Sequence, residues 1–289
     1  MTDNSRHTDK TGTTVLVLGG TGKTGRRVVR GLQERGATVR AASRAGEVRF
    51  DWDDRGTWEP ALAGADAAYL VDMQDKPGVW DADAHIRELA ALAAGVGVRR
   101  LVLLQARVTD KVGGKSLVAG EAAVRDSGLE WTVLRPNWFN QNFDEGVLLD
   151  SVREGRVALP AGDGREPFVD AEDVAAVAVA ALLDEGHSGQ TYELSGPRAI
   201  GIAEAVEEIS RVTGREIEYV PVTHEEYVAE LVGYEVPADY ALFVADLVGQ
   251  IRDNRNAEPT GTVRRVLGRE PRDFADFVKD AAAAGAWNV

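Results

Sequence analysis

"VLVLGGTGKTGRR", residues 15–27, holds two competing nucleotide motifs. Gly22-Lys23-Thr24 invites a Walker A loop, G-x-x-x-x-G-K-S/T, whose backbone N–H groups wrap a phosphate. That register puts Val17 where the first glycine belongs. Val17 lies inside Val15-Leu16-Val17-Leu18, an apolar run that reads as a buried strand. The strand fills the place the loop needs, so the register fails. A second register fits. Gly19, Gly22 and Gly25 make G-x-x-G-x-x-G directly after the strand. A helix follows, with Val28, Val29 and Leu32 on one face and Gly36 as its stop. Strand, glycine turn and helix open a dinucleotide-binding fold. Gly19 permits the turn, Gly22 lets a pyrophosphate approach, and Gly25 lets the helix pack on the strand. Thr21, Lys23 and Thr24 complete this cofactor-binding turn. The pyrophosphate would sit at the positive end of the helix.

The motif alone is weak, because any loop with helix-breaking glycines could imitate it. The following residues strengthen it. Strand-like runs cover Thr38–Ala42, Val48–Phe50, Ala67–Val71, Leu101–Leu104 and Trp131–Leu134. A helix over Asp83–Ala94 carries Ile86, Leu89, Ala90 and Ala93 at helical spacing. Another covers Ser116–Asp126. Such alternation implies an α/β Rossmann fold, a doubly wound parallel sheet with helices on both faces. After residue 136 the rhythm loosens. "FVDAEDVAAVAVAALL", 168–183, reads as a strand end entering a helix, with Asp170 as its cap. "QTYELSG", 190–196, is another short strand, and a helix follows over 201–212. The expected organisation is a disordered tail over 1–12 and a dinucleotide-binding domain over 13–140. Residues 168–185 return to that domain, and most of 141–289 forms a smaller C-terminal substrate lobe.

Composition limits the function. Of the 289 residues, 44% are hydrophobic and 28% charged, as in soluble globular proteins. A net charge of −14 argues against a nucleic-acid surface. There is no cysteine, hence no thiol nucleophile or thiolate metal site. His7, His85, His187 and His224 lie far apart, so no metal site is expected. No apolar run approaches membrane-span length, and the polar start lacks the apolar core of a signal peptide. A cytoplasmic protein acting on a small molecule is the expectation, with oligomeric state open.

The second strand addresses the cofactor. NAD enzymes of this type place an acid about 20 residues past the glycines, where it binds the adenosine ribose. Here the stretch reads Arg40-Ala41-Ala42-Ser43-Arg44, with no carboxylate before Glu47. Ser43 and Arg44 stand in the acid's place. A guanidinium binds a 2′-phosphate bidentately, which favours NADP(H). Asp51, after the third strand, is expected near the adenine. Asp72, ending "AAYLVD", is expected at the sheet edge beside the cofactor.

"LVLGGTGKTGRRV", "FDWDDRGTWEPAL", "EWTVLRPNWFNQNF" and "FVDAEDVAAVAV" together resemble the NmrA-like atypical short-chain dehydrogenase/reductases. Within that family the chain resembles bacterial NAD(P)-binding proteins similar to the ergot-alkaloid reductase group. The resemblance spans almost the whole chain, and "LRPxWFxxNF" is its most specific part. It implies a Rossmann domain with a smaller lobe, and NADPH-dependent reduction of quinones, imines or conjugated alkenes. Other members bind NADP and regulate transcription through protein partners.

The chain departs from the dehydrogenase pattern. Tyr69, Tyr192, Tyr219, Tyr227, Tyr234 and Tyr240 all lack a lysine four residues on. The usual Tyr-x-x-x-Lys proton donor is therefore missing. Gln105 takes the position after the fifth strand, where serine is common, and Lys115 lies nearby. The cleft is expected outside the carboxyl ends of the strands, reached by Gln105 and residues 137–142. Trp138 and Phe139 either wall a flat substrate or pack the lobes together; Asn140, Gln141 and Asn142 could orient it. Gln105, Trp138 and Asn142 are the candidate catalytic residues of an NADPH-dependent reductase of a small apolar acceptor. A non-redox cyclase or isomerase on this fold and an NADP(H)-sensing regulator are the alternatives.

Overall fold

The computed structural model describes residues 12–71, 82–107 and 119–289. Seven parallel strands form one sheet: β1 (Thr14–Leu18), β2 (Thr38–Ser43), β3 (Val48–Arg49), β4 (Ala67–Val71), β5 (Arg100–Leu104), β6 (Glu130–Pro136) and β9 (Gln190–Leu194). Their order is β3-β2-β1-β4-β5-β6-β9. The chain runs outward from β1 to β3, then restarts at β4 on the other side. That reversal opens a crevice beyond the carboxyl ends of β1 and β4.

The central strands read as apolar runs because both their faces are covered. Leu16, Leu18, Leu70, Leu101 and Leu103 meet one helical layer. It consists of α2 (Trp58–Leu62), α3 (Ala82–Gly95) and α4 (Ala119–Arg125). Val15, Val17, Tyr69, Val102 and Leu134 meet the other. That layer is α1 (Gly25–Glu34), α6 (Ala171–Leu183) and α10 (Thr262–Leu267). The third strand ends sooner than Val48–Phe50 suggests. Phe50 lies just past the strand, still donating its N–H to Ser43 O at 3.0 Å, and its ring is buried edge-on against Trp52, with ring centroids 5.0 Å apart.

Asp170 caps α6 as its sequence suggests, accepting from the Glu172 N–H at 2.8 Å. The helix packs against α1. The return to the sheet continues past residue 185: β9 pairs with β6, and α10 packs on α6 and β9.

The second lobe comprises α5 (Leu149–Glu154), β7 (Arg156–Leu159), β8 (Arg165–Glu166), β10 (Ile200–Gly201), α7 (Ile202–Thr213), β11 (Glu218–Pro221), α8 (His224–Gly233), α9 (Ala238–Arg252) and α11 (Phe274–Ala283). Its core holds Phe143, Phe168, Phe274, Phe277 and Trp287. No helix among the described residues is long and apolar enough to cross a membrane.

Candidate functional site

The glycine turn has the geometry its spacing requires. Gly19 takes φ +63°, which L side chains rarely adopt. A Cβ on Gly25 would lie 2.1 Å from the Gly19 carbonyl oxygen, so α1 approaches the turn only because residue 25 is glycine. Gly22 is exposed and donates its N–H to Gly19 O at 2.8 Å. Thr24 forms no side-chain cap, and its hydroxyl instead receives the Tyr69 hydroxyl at 3.1 Å. The N–H groups of Lys23, Thr24 and Gly25 have no acceptor among the described residues. No acidic residue occupies the first turn of α1. Free donors at a positive helix end, with no side chain in front of Gly22, suit an anionic diphosphate.

The end of β2 lies beside this turn. Gly20 donates its N–H to Ala42 O at 2.9 Å, which places Ser43 and Arg44 immediately next to the glycines. Arg44 is exposed and has no ion-pair partner among the described residues. Ser43 Oγ faces Gly46, where a Cβ would lie 2.7 Å away. Asp51 is half-buried and closes its own turn, with Oδ1 accepting from the Asp53 N–H at 3.1 Å. Asp72 and Lys115 lie outside the described residues, as do residues 1–11 of the tail and 116–118.

The most informative contact joins two candidate residues 119 positions apart. Lys23 Nζ donates to Asn142 Oδ1 at 2.7 Å and lies 5.4 Å from the centre of the Phe139 ring. In strand order, β4 and β5 lie between the strands that lead to these residues. The lysine therefore reaches over the carboxyl end of the sheet, away from Arg44. Burial lowers its pKa to about 8, although Glu145 and Asp144 pull upward. Arg26 and Arg27 of α1 also pair with Glu145. Arg27 holds Glu172 of α6 as well, at 2.9 Å. A Cβ on Gly146 would lie 2.7 Å from Asn142 Cα and 3.0 Å from Lys23 Nζ. Because Lys23 engages the carbonyl oxygen of Asn142, the amide N–H groups point elsewhere and can donate to a ligand.

Residues 137–142 divide between scaffold and cleft. Trp138 packs against the lobe core, while Phe139 packs against the sheet-side core. Adjacent aromatic rings thus join the two lobes. Gln141 donates to Asp170 Oδ1 at 3.1 Å and accepts from the Ala171 N–H at 2.8 Å. Asn140 is fully buried and also donates to Asp170. Both amides hold the start of α6, which leaves Asn142 as the one of the three turned to the glycine loop. Gln105 is buried at the end of β5, its backbone N–H bonded to Leu134 O at 2.9 Å.

One polar cluster leaves no pattern in the sequence. Glu166 is 2% exposed and accepts from Asn137 Nδ2 at 2.7 Å and the Trp138 N–H at 3.2 Å. Burial pushes its carboxyl up to about 7, against those hydrogen bonds and the nearby Arg107. Arg107 binds Asn137 Oδ1 at 2.9 Å and Glu193 at 3.1 Å. Asn256 Nδ2 donates to Arg107 O at 2.9 Å. The segments following β5 and β6 are thereby fastened to β8, β9 and the chain after α9. A buried carboxyl inside "DGREPF" looks solvated in sequence, and only the polar N-W beside the strand end hinted at a partner.

Known proteins share this plan. An NAD(P)H azoreductase of Xenophilus azovorans is 34% identical, the alignment covering 93% of this chain and 98% of that protein. Agroclavine dehydrogenase of Claviceps fusiformis is 32% identical over 92% of this chain and 96% of its own. Among solved structures, an Escherichia coli NADPH-dependent quinone oxidoreductase complexed with NADPH matches with a TM-score of 0.74. It is 20% identical, covers 92% of this chain and 99% of its own, and shows a common fold. The family model matching residues 11–278 accounts for the glycine turn, the sheet and the lobe together: the chain belongs to the NmrA-like family.

Proposed function

We propose that this protein is an NADPH-dependent reductase of a small, largely apolar acceptor of the quinone, imine or conjugated-alkene type. The observation that carries the reading is that, among the described residues, the N–H groups of Lys23, Thr24 and Gly25 have no acceptor and the exposed Arg44 beside them has no ion-pair partner. The N–H groups would hold the pyrophosphate, with Gly19, Thr21 and Gly22 shaping the turn. Ser43 and Arg44 would hold the 2′-phosphate, a role a carboxylate there would prevent. Asp51 would lie near the adenine. When bound, NADPH supplies a hydride.

The chain's own residues then orient the acceptor. Gln105 lies at the end of β5, Trp138 flanks the cleft from the lobe, and the Asn142 amide donates to an acceptor oxygen or nitrogen. Lys23 fixes which way that amide faces. Reacting atoms must approach to roughly 3–3.5 Å, so fixed orientation matters. With no Tyr-x-x-x-Lys pair in the sequence, acceptors that need little acid assistance suit the site. The family's azoreductase and clavine-dehydrogenase relatives support this class of chemistry.

The test is NADPH oxidation across a panel of quinone, azo and iminium acceptors, with calorimetry of NADPH alone. Wild type should oxidise NADPH with at least one acceptor, and Gly22→Val should lose both turnover and binding. Tight NADPH binding with no turnover on any acceptor would assign the site to a sensor. Conversion of a substrate without cofactor would assign it to a non-redox enzyme.

A further inference from the structure

We propose that Lys23 and Asn142 act as one electrophilic unit, in which the ammonium polarises the Asn142 amide and the amide N–H stabilises negative charge growing on an acceptor oxygen. The site thereby favours carbonyl-conjugated acceptors over cationic iminium acceptors. This inference rests on the reductase reading and narrows its substrate class.

The partner of the lysine is unusual for its surroundings. Two carboxylates stand nearby, Asp144 and Glu145. Arg26 and Arg27 of α1 take Glu145, and Lys23 forms no ion pair among the described residues. Its ammonium instead donates to the neutral Asn142 Oδ1 at 2.7 Å, with the Phe139 ring centre 5.4 Å away. Gly146 leaves the room, since a Cβ there would come within 3.0 Å of Nζ. Burial leaves the charge poorly hydrated, yet the lysine keeps its proton at neutral pH. A full charge on the amide oxygen draws electron density from the amide nitrogen and makes its N–H groups stronger donors.

Asn142 is held to present that donor. It closes a short 3-10 turn over Asn140–Asn142. Its backbone N–H donates to Phe139 O at 3.1 Å, and its carbonyl accepts from the Leu148 N–H at 2.9 Å. Phe143, the next residue, is fully buried in the lobe core. The Asn142 side-chain nitrogen has no acceptor among the described residues and is not sealed from solvent. A dinucleotide anchored at Arg44 extends towards β4 and β5, the stretch that the Lys23–Asn142 contact spans.

The two acceptor classes make different demands. A conjugated carbonyl gains a hydride, with its electron pair, at carbon from NADPH, which is oxidised to NADP+. The displaced π pair is relayed to the carbonyl oxygen, which then takes a proton from water. Negative charge grows on that oxygen, and a preorganised donor lowers the barrier. An iminium gains the hydride at carbon while its C=N pair neutralises the nitrogen. No anion forms, no proton is needed, and the nearby ammonium repels the cation. Asn142 is the catalytic residue of the pair, and Lys23, acting through it, is a positioning residue.

The experiment measures kcat at saturating NADPH and neutral pH with a naphthoquinone and with a dihydroisoquinolinium, for wild type, Lys23→Met, Asn142→Ala and the double variant. Calorimetric NADPH affinities of each protein set the saturating concentrations. The quinone-to-iminium ratio should fall roughly 100-fold in Asn142→Ala, the loss of one oxyanion donor. It should fall about 10-fold in Lys23→Met, which removes the charge assistance alone. The double variant should match Asn142→Ala within about 3-fold, because the lysine acts through the amide. A second arm titrates para-nitrophenol by its absorbance on the NADP+-loaded protein. Its pKa should fall on binding to wild type and fall less with Lys23→Met and Asn142→Ala. Equal losses for both acceptors, an additive double variant, or a nitrophenol pKa that wild type leaves in place would each overturn the proposal. If wild type reduces neither acceptor, the reductase reading fails, and the nitrophenol arm still decides whether the pair stabilises an oxyanion.

Discussion

Replacing Lys23 by methionine removes a cation from surroundings that hold it poorly until a phosphate arrives. Burial holds its pKa at about 8 instead of 10.5, with Arg26 and Arg27 adding to the depression and Glu145 and Asp144 opposing it. At roughly 1.4 kcal/mol per pH unit, the charged form costs the native state about 3 kcal/mol relative to the unfolded chain. The native protein releases this proton from about pH 8, while the unfolded chain keeps it until 10.5. Between those values the unfolded state binds more protons, so stability rises with pH. Wild type should therefore gain up to about 3 kcal/mol over Lys23→Met as pH climbs from 8 towards 10. Near neutrality the relieved cost is offset by loss of the charge-assisted bond to Asn142, about 1.5–3 kcal/mol, so the two proteins should be similarly stable. Urea denaturation of both proteins at a series of pH values isolates the effect, because other titrations cancel in the difference. A bound diphosphate should raise the Lys23 pKa again, so NADPH binding above pH 8 should take up a proton. Calorimetry in two buffers of different ionisation enthalpy measures that uptake. A stability difference that stays flat between pH 8 and 10 would refute the reasoning.

Arg44→Ala should weaken NADPH binding by about ten- to a hundredfold, the loss of one charge-assisted contact, and leave NADH binding unchanged. An unaltered NADPH-to-NADH ratio in calorimetry would remove Arg44 from the phosphate site. Gly25→Ala should abolish measurable NADPH binding, because its Cβ would fall 2.1 Å from the Gly19 carbonyl and displace the turn. Retained affinity in the same titration would contradict that geometry. Glu166 is protonated in the native state up to about pH 7, whereas the unfolded chain loses the proton near 4.5. The native state binds more protons in that window, so this group's contribution to stability falls as pH rises through it. Glu166→Gln should gain on wild type by up to about 3 kcal/mol from pH 5 to above 7, read from denaturation midpoints.

What was legible in the sequence was local or periodic. Strands buried on both faces appear as apolar runs, and a glycine turn must have its glycines at fixed offsets. The cap of α6 could be read because Asp170 and the helix it starts are adjacent. Strand order left no such mark: nothing in "QTYELSG" says that β9 pairs with β6. The Lys23–Asn142 bond spans 119 positions and was approached from two sides, as cofactor residue and as substrate residue, without the link. Asn140 and Gln141 looked like substrate ligands because buried and exposed amides share the same letters.

The completion of the sheet by β9, α6 and α10 also governs how the chain must emerge during synthesis. By the time β6 has been made, Val15, Val17, Val102 and Leu134 have no cover from α6, whose Val174, Val177 and Ala178 follow later. At roughly 5–20 residues per second, the part of that face that α1 does not cover stays bare for a few seconds on each ribosome. Half a sheet with one greasy side is a substrate for chaperones and a seed for aggregation. The N-terminal half should thus be hard to express alone, and nascent chains arrested before α6 should bind trigger-type holdases that full-length chains no longer engage.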